Sequence, residues 1–263
     1  MGAVPTVEGM TRAEPLGTSF APRRRRTAGA TAEPADRIRS GLAAAVRALR
    51  PLFPAGVSRP RFLRGPRIEV PVDAHPISTD RLVLRRHRLE DAEAWYRIQS
   101  TPEVVEHLPW PVRDREASRE HLRHRVRHSR LWQSGDFLAL AVEHDGRLVG
   151  DVSLHLRDVQ PAERSVEIGW VLDPAVGGRG LASEASAAMI DLAFREVGAK
   201  TVTAVIEPEN TRSIALAERL GFLRATAPRR SSSITFAITP SLLAARRAER
   251  VESAHTESTA TRP

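Results

Sequence analysis

Residues 165–195 place a strand, a glycine-rich turn and a helix in direct succession. SVEIGWVL (Ser165–Leu172) has the apolar content of a buried strand, and DPAVGGRG carries three glycines. LASEASAAMIDLAFR then repeats apolar residues at helical spacing. This succession indicates a sheet that packs against a helix, because each element has an apolar side to bury. It predicts a chain of the α/β or α+β class.

The glycine-rich turn could bind an anion. Gly177, Gly178 and Gly180 allow the backbone to approach a ligand closely. The following helix directs unpaired amide donors and the positive end of its dipole toward the turn, so a diphosphate would fit there. The turn lacks the Gly-Lys-Ser/Thr of a Walker A loop and the spacing of a dinucleotide fingerprint. Taken alone, it is explained equally well as a tight strand-to-helix connection.

The chain before this segment also alternates between strands and helices. Thr79–Arg85 is predicted to be a strand with Leu82 and Leu84 on one face. LEDAEAWYRIQ then begins a helix with an acidic first turn. A second helix is predicted over Arg113–Trp132. Together with the later elements, these predict an ordered domain from residue 76 onward.

The rest of the predicted sheet lies on both sides of the glycine-rich turn. Asp136–His144 and RLVGDVSLHL are predicted antiparallel strands, joined by the two-residue turn Asp145-Gly146. Beyond the turn, TVTAVI is a predicted strand and NTRSIALAERL a predicted helix that ends at Gly221. LRATAPRRSSSITFAIT must then supply the last strand or strands.

The positive charge of the chain is concentrated in its first 75 residues. Of the formal net charge of +8, residues 1–75 carry +7, and they also hold nine of the 19 prolines. We predict that they form a disordered extension, with a possible short amphipathic helix at 36–50. That helix could bind a membrane surface or a partner, or be only marginally stable. A start codon assigned too early would also produce such a tail, and no apolar stretch follows Arg23–Arg26 as in a signal peptide.

The absence of cysteine and of long apolar runs excludes several classes of protein. Without cysteine the chain has no disulfide, no thiolate zinc site and no covalent cysteine intermediate. No apolar run approaches the ~18 residues of a membrane-spanning helix, and we expect a cytoplasmic protein. His121, His124 and His128 share one side of the second predicted helix. Their surroundings are basic and offer no carboxylate at matching spacing, so no metal site is expected.

The ordered series from VEIGWVLDPAVGGRGLASEA to NTRSIALAERLGF resembles the GNAT superfamily of acyl-CoA-dependent N-acetyltransferases. Thr79–Arg85 is similar to the first strand of the branch that contains the ribosomal-protein N-terminal acetyltransferases. The resemblance covers about residues 76–225 and implies a mixed, mostly antiparallel central sheet flanked by helices, in a domain over 76–240. Residues 241–263 are predicted to be a charged helical or disordered tail. The resemblance also implies acetyl-CoA as cosubstrate and a primary amine as acceptor.

The resemblance assigns a role to each part of the glycine segment. In that family the loop matching Gly177–Ala182 binds the coenzyme diphosphate through main-chain amides, and the strand matching Trp170–Leu172 pairs with the pantetheine arm. Asn210 and Ser213 match positions near that arm and the thiol. The family usually has Gln or Arg where this chain has Gly177, so one side-chain contact is lost. The implied coenzyme-binding residues are Trp170, Val171, Leu172, Gly177, Gly178, Arg179, Gly180, Leu181, Ala182, Asn210 and Ser213.

The catalytic groups are less well defined. Many relatives have a tyrosine that protonates the departing thiolate, and the matching position in this chain is Ala217. Ser213, or a water that it holds, is the candidate acid, and Glu167 the candidate base, acting directly or through water. Each has a structural alternative, namely a helix-start serine bonded to backbone and a surface glutamate on a half-exposed strand. A weakly defined base favours an α-amine, whose pKa of about 7.7 to 8.0 leaves a neutral fraction near pH 7.

Two functions from different classes are therefore predicted. The first is an enzyme that acetylates a protein or peptide N terminus, or a small-molecule amine, by direct attack in a ternary complex. The second is a non-catalytic coenzyme-binding or interaction module of the same fold. In either case the basic tail could contact nucleic acid or the ribosome weakly. A monomer and a homodimer are both compatible with the sequence.

Overall fold

The computed structural model describes residues 65–108, 110–225 and 232–249. The predicted helix at 36–50, residues 1–64 of the predicted extension and the end of the predicted tail lie outside these residues. The strands are β1 (Arg67–Asp73), β2 (Ile77–Ser78), β3 (Val83–Arg86), β4 (Arg130–Gln133), β5 (Phe137–His144), β6 (Arg147–Asp158), β7 (Ser165–Leu172), β8 (Thr201–Ile206), β9 (Leu223–Arg224) and β10 (Ile234–Ile238). The helices are α1 (Ala92–Gln99), α2 (Pro102–Val105), α3 (Arg115–Arg127), α4 (Leu181–Arg195) and α5 (Thr211–Leu220), with a further helical stretch at 240–249.

Eight of these strands form one mixed sheet. Their order is β2-β3-β5-β6-β7-β8-β10-β9, and every neighbouring pair is antiparallel except β7–β8. Strands β1 and β4 pair separately as a two-stranded sheet. The mixed, mostly antiparallel sheet that the resemblance implied is confirmed.

Helices cover both faces of the sheet, as that fold class requires. On one face, Trp95 of α1 and Leu122 of α3 form an apolar cluster with Val171 of β7. On the other face, the main core contains Leu181 and Met189 of α4. Each large apolar side chain buried in this way contributes about 1.5–3 kcal/mol to stability. The sheet is therefore held between two apolar layers.

Two turns follow the backbone geometry that the sequence predicts. Asp145 and Gly146 both have positive φ, at 51° and 70°, as a two-residue hairpin turn between twisted strands requires. Gly221 ends α5 with φ 93°, and the Phe222 amide bonds back to the Ala217 carbonyl at 3.0 Å. Phe222 is buried, so it anchors the end of that helix.

The prediction of a helix over Arg113–Trp132 was wrong at its end, and one strand explains why. Helix α3 stops at Arg127, and residues 130–133 form β4, which pairs with β1. Strand β1 lies within the stretch 1–75 that was predicted to be disordered. Ile68 and Leu131, one from each strand, are buried in the main core. Strands β1 and β4 form their backbone hydrogen bonds with each other. The local sequence of either one therefore could not show that it is a strand.

The ends of the sheet also differ from the prediction. The first strand was predicted at Thr79–Arg85, but the Thr79 amide bonds to the Leu82 carbonyl at 2.9 Å, and β3 starts only after that turn. At the other end, β10 pairs with β8 over five residue pairs and carries β9 at its far edge. The segment after Phe222 therefore supplies the last two strands of the sheet, which the sequence had left open. Among the described residues, no helix has both the length and the apolarity needed to cross a membrane.

Candidate functional site

The sheet opens where its two parallel strands stop pairing. Among the described strands, β7 and β8 pair at Ser165, Val166 and Glu167 and no further. Beyond these residues, β7 keeps only β6 as its neighbour, and β8 keeps only β10. The ends of β7 and β8 therefore border an opening within the sheet rather than at its edge.

Backbone groups of β7 face this opening. The hydroxyl of Thr203 on β8 donates to the Val166 carbonyl at 3.4 Å, so that carbonyl points toward β8. Backbone groups of successive residues in a strand point to opposite sides, and those of Trp170 and Leu172 therefore face the opening as well. By the same alternation Val171 faces β6, which makes it the least suited of the three predicted residues to pair with a ligand.

The start of α5 lies across the opening and carries two predicted residues. The Asn210 side-chain oxygen accepts a hydrogen bond from the Ser213 amide at 3.0 Å and caps the helix. The Ser213 hydroxyl accepts a hydrogen bond from the Trp170 indole at 3.2 Å. An indole N–H can only donate, so the Ser213 proton stays available for another acceptor. The structure thus brings Trp170, Asn210 and Ser213 together.

The glycine loop has the backbone shape that its residues allow. Gly178 and Gly180 have φ of 75° and 77°, a region that side chains with a Cβ rarely adopt. At Gly177, a Cβ would lie 2.9 Å from the Pro174 carbonyl oxygen. A side chain at this position would therefore have to displace that carbonyl.

Helix α4 presents its first amides beside that loop. Its first intrahelical bond in sequence is donated by the Glu184 amide to the Gly180 carbonyl at 3.1 Å, so the amides of residues 181–183 precede it. Leu181 is only 1% exposed and its side chain packs in the core. Leu181 and Ala182 would therefore act through their backbone. Together with the helix dipole, these amides favour an anion at the loop.

Glu167 lies on the opposite face of β7 from Trp170. It shares a face with Val171, four residues along the strand, which packs under α1 and α3. Its carboxylate pairs with Arg157 at 2.9 Å, and its side chain is 27% exposed. The candidate base and the candidate acid thus flank β7 from two sides, near the point where its pairing with β8 ends.

The side chains around Glu167 form a polar, mostly buried group. His155 is opposite Glu167 in the strand register. Burial, and then the charges of Arg157 and Arg125, lower the pKa of His155 to about 4, so its ring is neutral near pH 7. Further along β6, buried Asp151 contacts His87 at 3.2 Å and Arg125 at 3.3 Å. Burial opposes the ionisation of Asp151, but Arg125 and His87 outweigh it and lower its pKa.

The three histidines considered for a metal site, two in α3 and one directly after it, contact neighbouring rings. The His121 ring is 5.6 Å from Trp95, and the His124 ring is 4.0 Å from that of His128. Across residues 65–108, 110–225 and 232–249, no group of three or more His, Asp or Glu side chains is arranged to hold a metal ion.

Two contacts of the glycine loop, and a third beside it, could not be predicted from the sequence. Arg81 and His144 both bond to Arg179, and Glu184 bonds to Arg81. The only signal was the position of Arg81 in the strand-like stretch Thr79–Arg85. That pattern gave no reason to expect a contact with a helix about 100 residues later in the chain.

Comparisons with known proteins agree with this geometry. The model of the acetyltransferase (GNAT) domain family matches residues 81–223. An uncharacterized N-acetyltransferase of Bacillus licheniformis is 32% identical over 145 residues, which cover 55% of this chain and 80% of the relative. Among solved structures, RimJ of Mycobacterium smegmatis in complex with CoA-disulfide is 26% identical with a TM-score of 0.53, covering 65% of this chain and 89% of that one. A GNAT-family acetyltransferase from Bacillus anthracis is 25% identical with a TM-score of 0.53, covering 63% and 98%.

Proposed function

The chain belongs to the GNAT acetyltransferase family, and from that membership we propose that it transfers the acetyl group of acetyl-CoA to a primary amine. The acceptor would be a protein or peptide N terminus or a small-molecule amine, and a cytoplasmic setting stays a prediction of the sequence. The observation that carries the proposal is the opening between β7 and β8. Backbone groups of Trp170 and Leu172 face this opening, and amide donors lie at the start of α4.

Two parts of acetyl-CoA, the diphosphate and the pantetheine arm, have matching groups in the site. The amides of residues 181–183 and the positive φ of Gly178 and Gly180 suit the diphosphate. The exposed backbone of Trp170 and Leu172 suits the amide groups of the pantetheine arm. RimJ, a relative at 26% identity, is described in complex with a CoA-disulfide, which supports the same class of ligand here.

The chemistry we propose is direct attack. The amine nitrogen attacks the thioester carbonyl carbon, the C–N bond forms and the C–S bond breaks. Before the attack, Glu167 takes the extra proton of an ammonium acceptor, directly or through water. After it, the thiolate takes a proton from Ser213 or a water that it holds, and the second proton lost by the nitrogen replaces that one. The chain contains no cysteine to form an acyl-enzyme.

An α-amine is the acceptor class we favour. Arg157 lies 2.9 Å from Glu167, and its positive charge disfavours an ammonium group nearby. The acceptor should therefore arrive neutral in appreciable amount. An α-amine with a pKa of about 7.7 to 8.0 meets that condition near pH 7, whereas a lysine near 10.4 does not.

Initial-rate kinetics test the proposed reaction. With acetyl-CoA and a panel of peptide N termini and small amines, we expect thiol release with the intersecting patterns of a sequential mechanism. No acetylated protein should accumulate when the acceptor is left out, because no covalent intermediate is formed. If acetyl-CoA binds while no amine is acetylated, the non-catalytic module is the better account.

A substitution in the glycine loop should separate ligand binding from folding. Wild-type protein should gain about 2.7 kcal/mol of stability at ~100 times the Kd of acetyl-CoA. In Gly178→Val the gain should vanish, because a β-branched residue cannot keep the positive φ of the loop. Thermal denaturation with and without acetyl-CoA measures both quantities.

Gly135→Val is the matched control for that substitution. Gly135 has φ 87°, and like Gly178 it has open space where a Cβ would be, but it lies in a turn before β5. Both variants should lose a similar amount of stability without ligand. Only Gly178→Val should lose the response to acetyl-CoA, and an equal response in both would refute the assignment of the loop.

A further inference from the structure

Glu184, in the first turn of α4, is bound by the turn that precedes β3. One oxygen of its carboxylate accepts from the Thr79 hydroxyl at 2.6 Å and from the Arg81 amide at 2.9 Å. The other accepts from Arg81 Nε at 2.7 Å and lies 2.6 Å from Arg81 Nη2. The Glu184 side chain is 16% exposed, so these bonds are partly shielded from water.

The same Arg81 side chain also contacts the glycine loop. Its Nη1 donates to the Arg179 carbonyl at 2.8 Å. Its Nη2 lies 3.5 Å from the position that a Cβ on Gly180 would take. One guanidinium group therefore joins the first turn of α4 to the loop that leads into it.

His144 connects the loop to β5. A carbonyl can only accept, so His144 Nδ1 donates to the Arg81 carbonyl at 3.0 Å. In the neutral ring that leaves Nε2 as the acceptor for Arg179 Nη2, at 2.9 Å. Both the backbone and the side chain of Arg179 are thus held by groups outside the loop.

We propose that Arg81 and Glu184 are positioning residues that hold the glycine loop in its ligand-binding shape. The inference rests on the proposed binding of coenzyme A at that loop. Gly178 and Gly180 give the loop more conformational freedom than other residues would, and this freedom must be lost on binding. A loop that is already ordered loses less of it and binds more tightly.

For Glu184, a positioning role and a purely electrostatic effect predict opposite changes in coenzyme affinity. Glu184 places a negative charge near the proposed diphosphate site. If charge dominated, Glu184→Gln would strengthen coenzyme binding by removing that repulsion. If positioning dominates, the same change weakens binding, because the amide cannot form the ion pair that holds Arg81.

Isothermal titration of the full chain with coenzyme A measures this difference. We expect Glu184→Gln and Arg81→Ala each to raise the Kd about tenfold, the loss of roughly one charge-assisted hydrogen bond. Arg130→Ala is the matched control, since Arg130 pairs with Asp73 at 2.5 Å, and its side chain is 43% exposed against 45% for Arg81. Its Kd should equal that of the wild type.

A second variant and a kinetic measurement distinguish a loss of binding from a loss of folding. Thr79→Val removes one hydrogen bond to Glu184, and the local bonds of the same hydroxyl to Leu82, without changing charge. It should raise the Kd about threefold with an unchanged circular dichroism spectrum. In the kinetic assay, Glu184→Gln should raise KM for acetyl-CoA and leave kcat near the wild-type value. Unchanged or tighter binding by Glu184→Gln overturns the positioning role alone. A flat wild-type isotherm overturns the proposed coenzyme binding, and the positioning role with it.

Discussion

Replacing Glu167 by glutamine should lower kcat/KM for the best α-amine acceptor about 100-fold at about pH 6, well below the amine pKa, where only roughly one acceptor in a hundred is neutral. Glu167 lies on the α1 and α3 face of β7, opposite Trp170 and Ser213, at the point where the pairing with β8 ends. A glutamine keeps the size of the side chain but cannot take a proton from the acceptor. The deficit should shrink as the pH rises past the pKa of the amine, because the free amine then needs no base.

Two variants serve as controls for this experiment. Glu163→Gln makes the same chemical change on an exposed loop before β7 and should leave kcat/KM unchanged. Ser213→Ala should slow the departure of the thiolate but keep the wild-type pH dependence, because its proposed role concerns the other proton. Full activity of Glu167→Gln at about pH 6 would show that it is not the base, and that water suffices.

The elements that could be predicted from the sequence are those with local signals. Strand β7 was predicted at Ser165–Leu172 and found there, because its apolar residues recur at every second position, as in a strand. The Asp145-Gly146 turn was equally clear, because few residue pairs adopt two positive φ values. Strand β4 could not be predicted, since HSRLWQ follows a helical stretch and its partner β1 lies about 60 residues earlier. Tertiary pairing overrode the local pattern there.

The same distinction applies to the candidate site. The glycine loop lies in a motif that is continuous in sequence. Trp170 and Ser213 were each predicted from a separate motif, and the structure adds the contact between them. The contact of Arg81 with Glu184 spans 103 residues, and nothing local to either residue indicates it. Asp151 lies in the strand RLVGDVSLHL, where a charged residue would ordinarily face solvent. It is buried because Arg125 of α3 reaches it, and that contact depends on how the helix packs.

Lowering the pH from 7 to 4.5 should destabilise the folded protein by about 5 kcal/mol, a fall of roughly 15 °C in Tm. Burial, then the charges of Arg125 and Arg113, lower the pKa of His121 to about 3. The pKa of His155 is lowered to about 4 by burial and the neighbouring arginines. Below about pH 6.5 the unfolded chain therefore binds protons that the folded protein does not. The free energy of unfolding decreases as the pH is lowered. Above that pH both rings are neutral in both states, so their contribution is fully present.

His121→Phe tests this origin of acid sensitivity. The ring lies between Trp95 and Trp110, at 5.6 and 5.5 Å, so a phenyl group can occupy the same place. Its Nδ1 is buried without a hydrogen-bond partner, and losing it costs no bond there. Thermal denaturation from pH 7.5 to 4.5 should give a shallower curve for the variant, by about 1 kcal/mol per pH unit at most. Parallel curves would mean that other groups, such as the carboxylates paired with arginine, cause the loss. At pH 7.5 the two proteins should differ little, because the histidine that was replaced is neutral in both the folded and the unfolded chain.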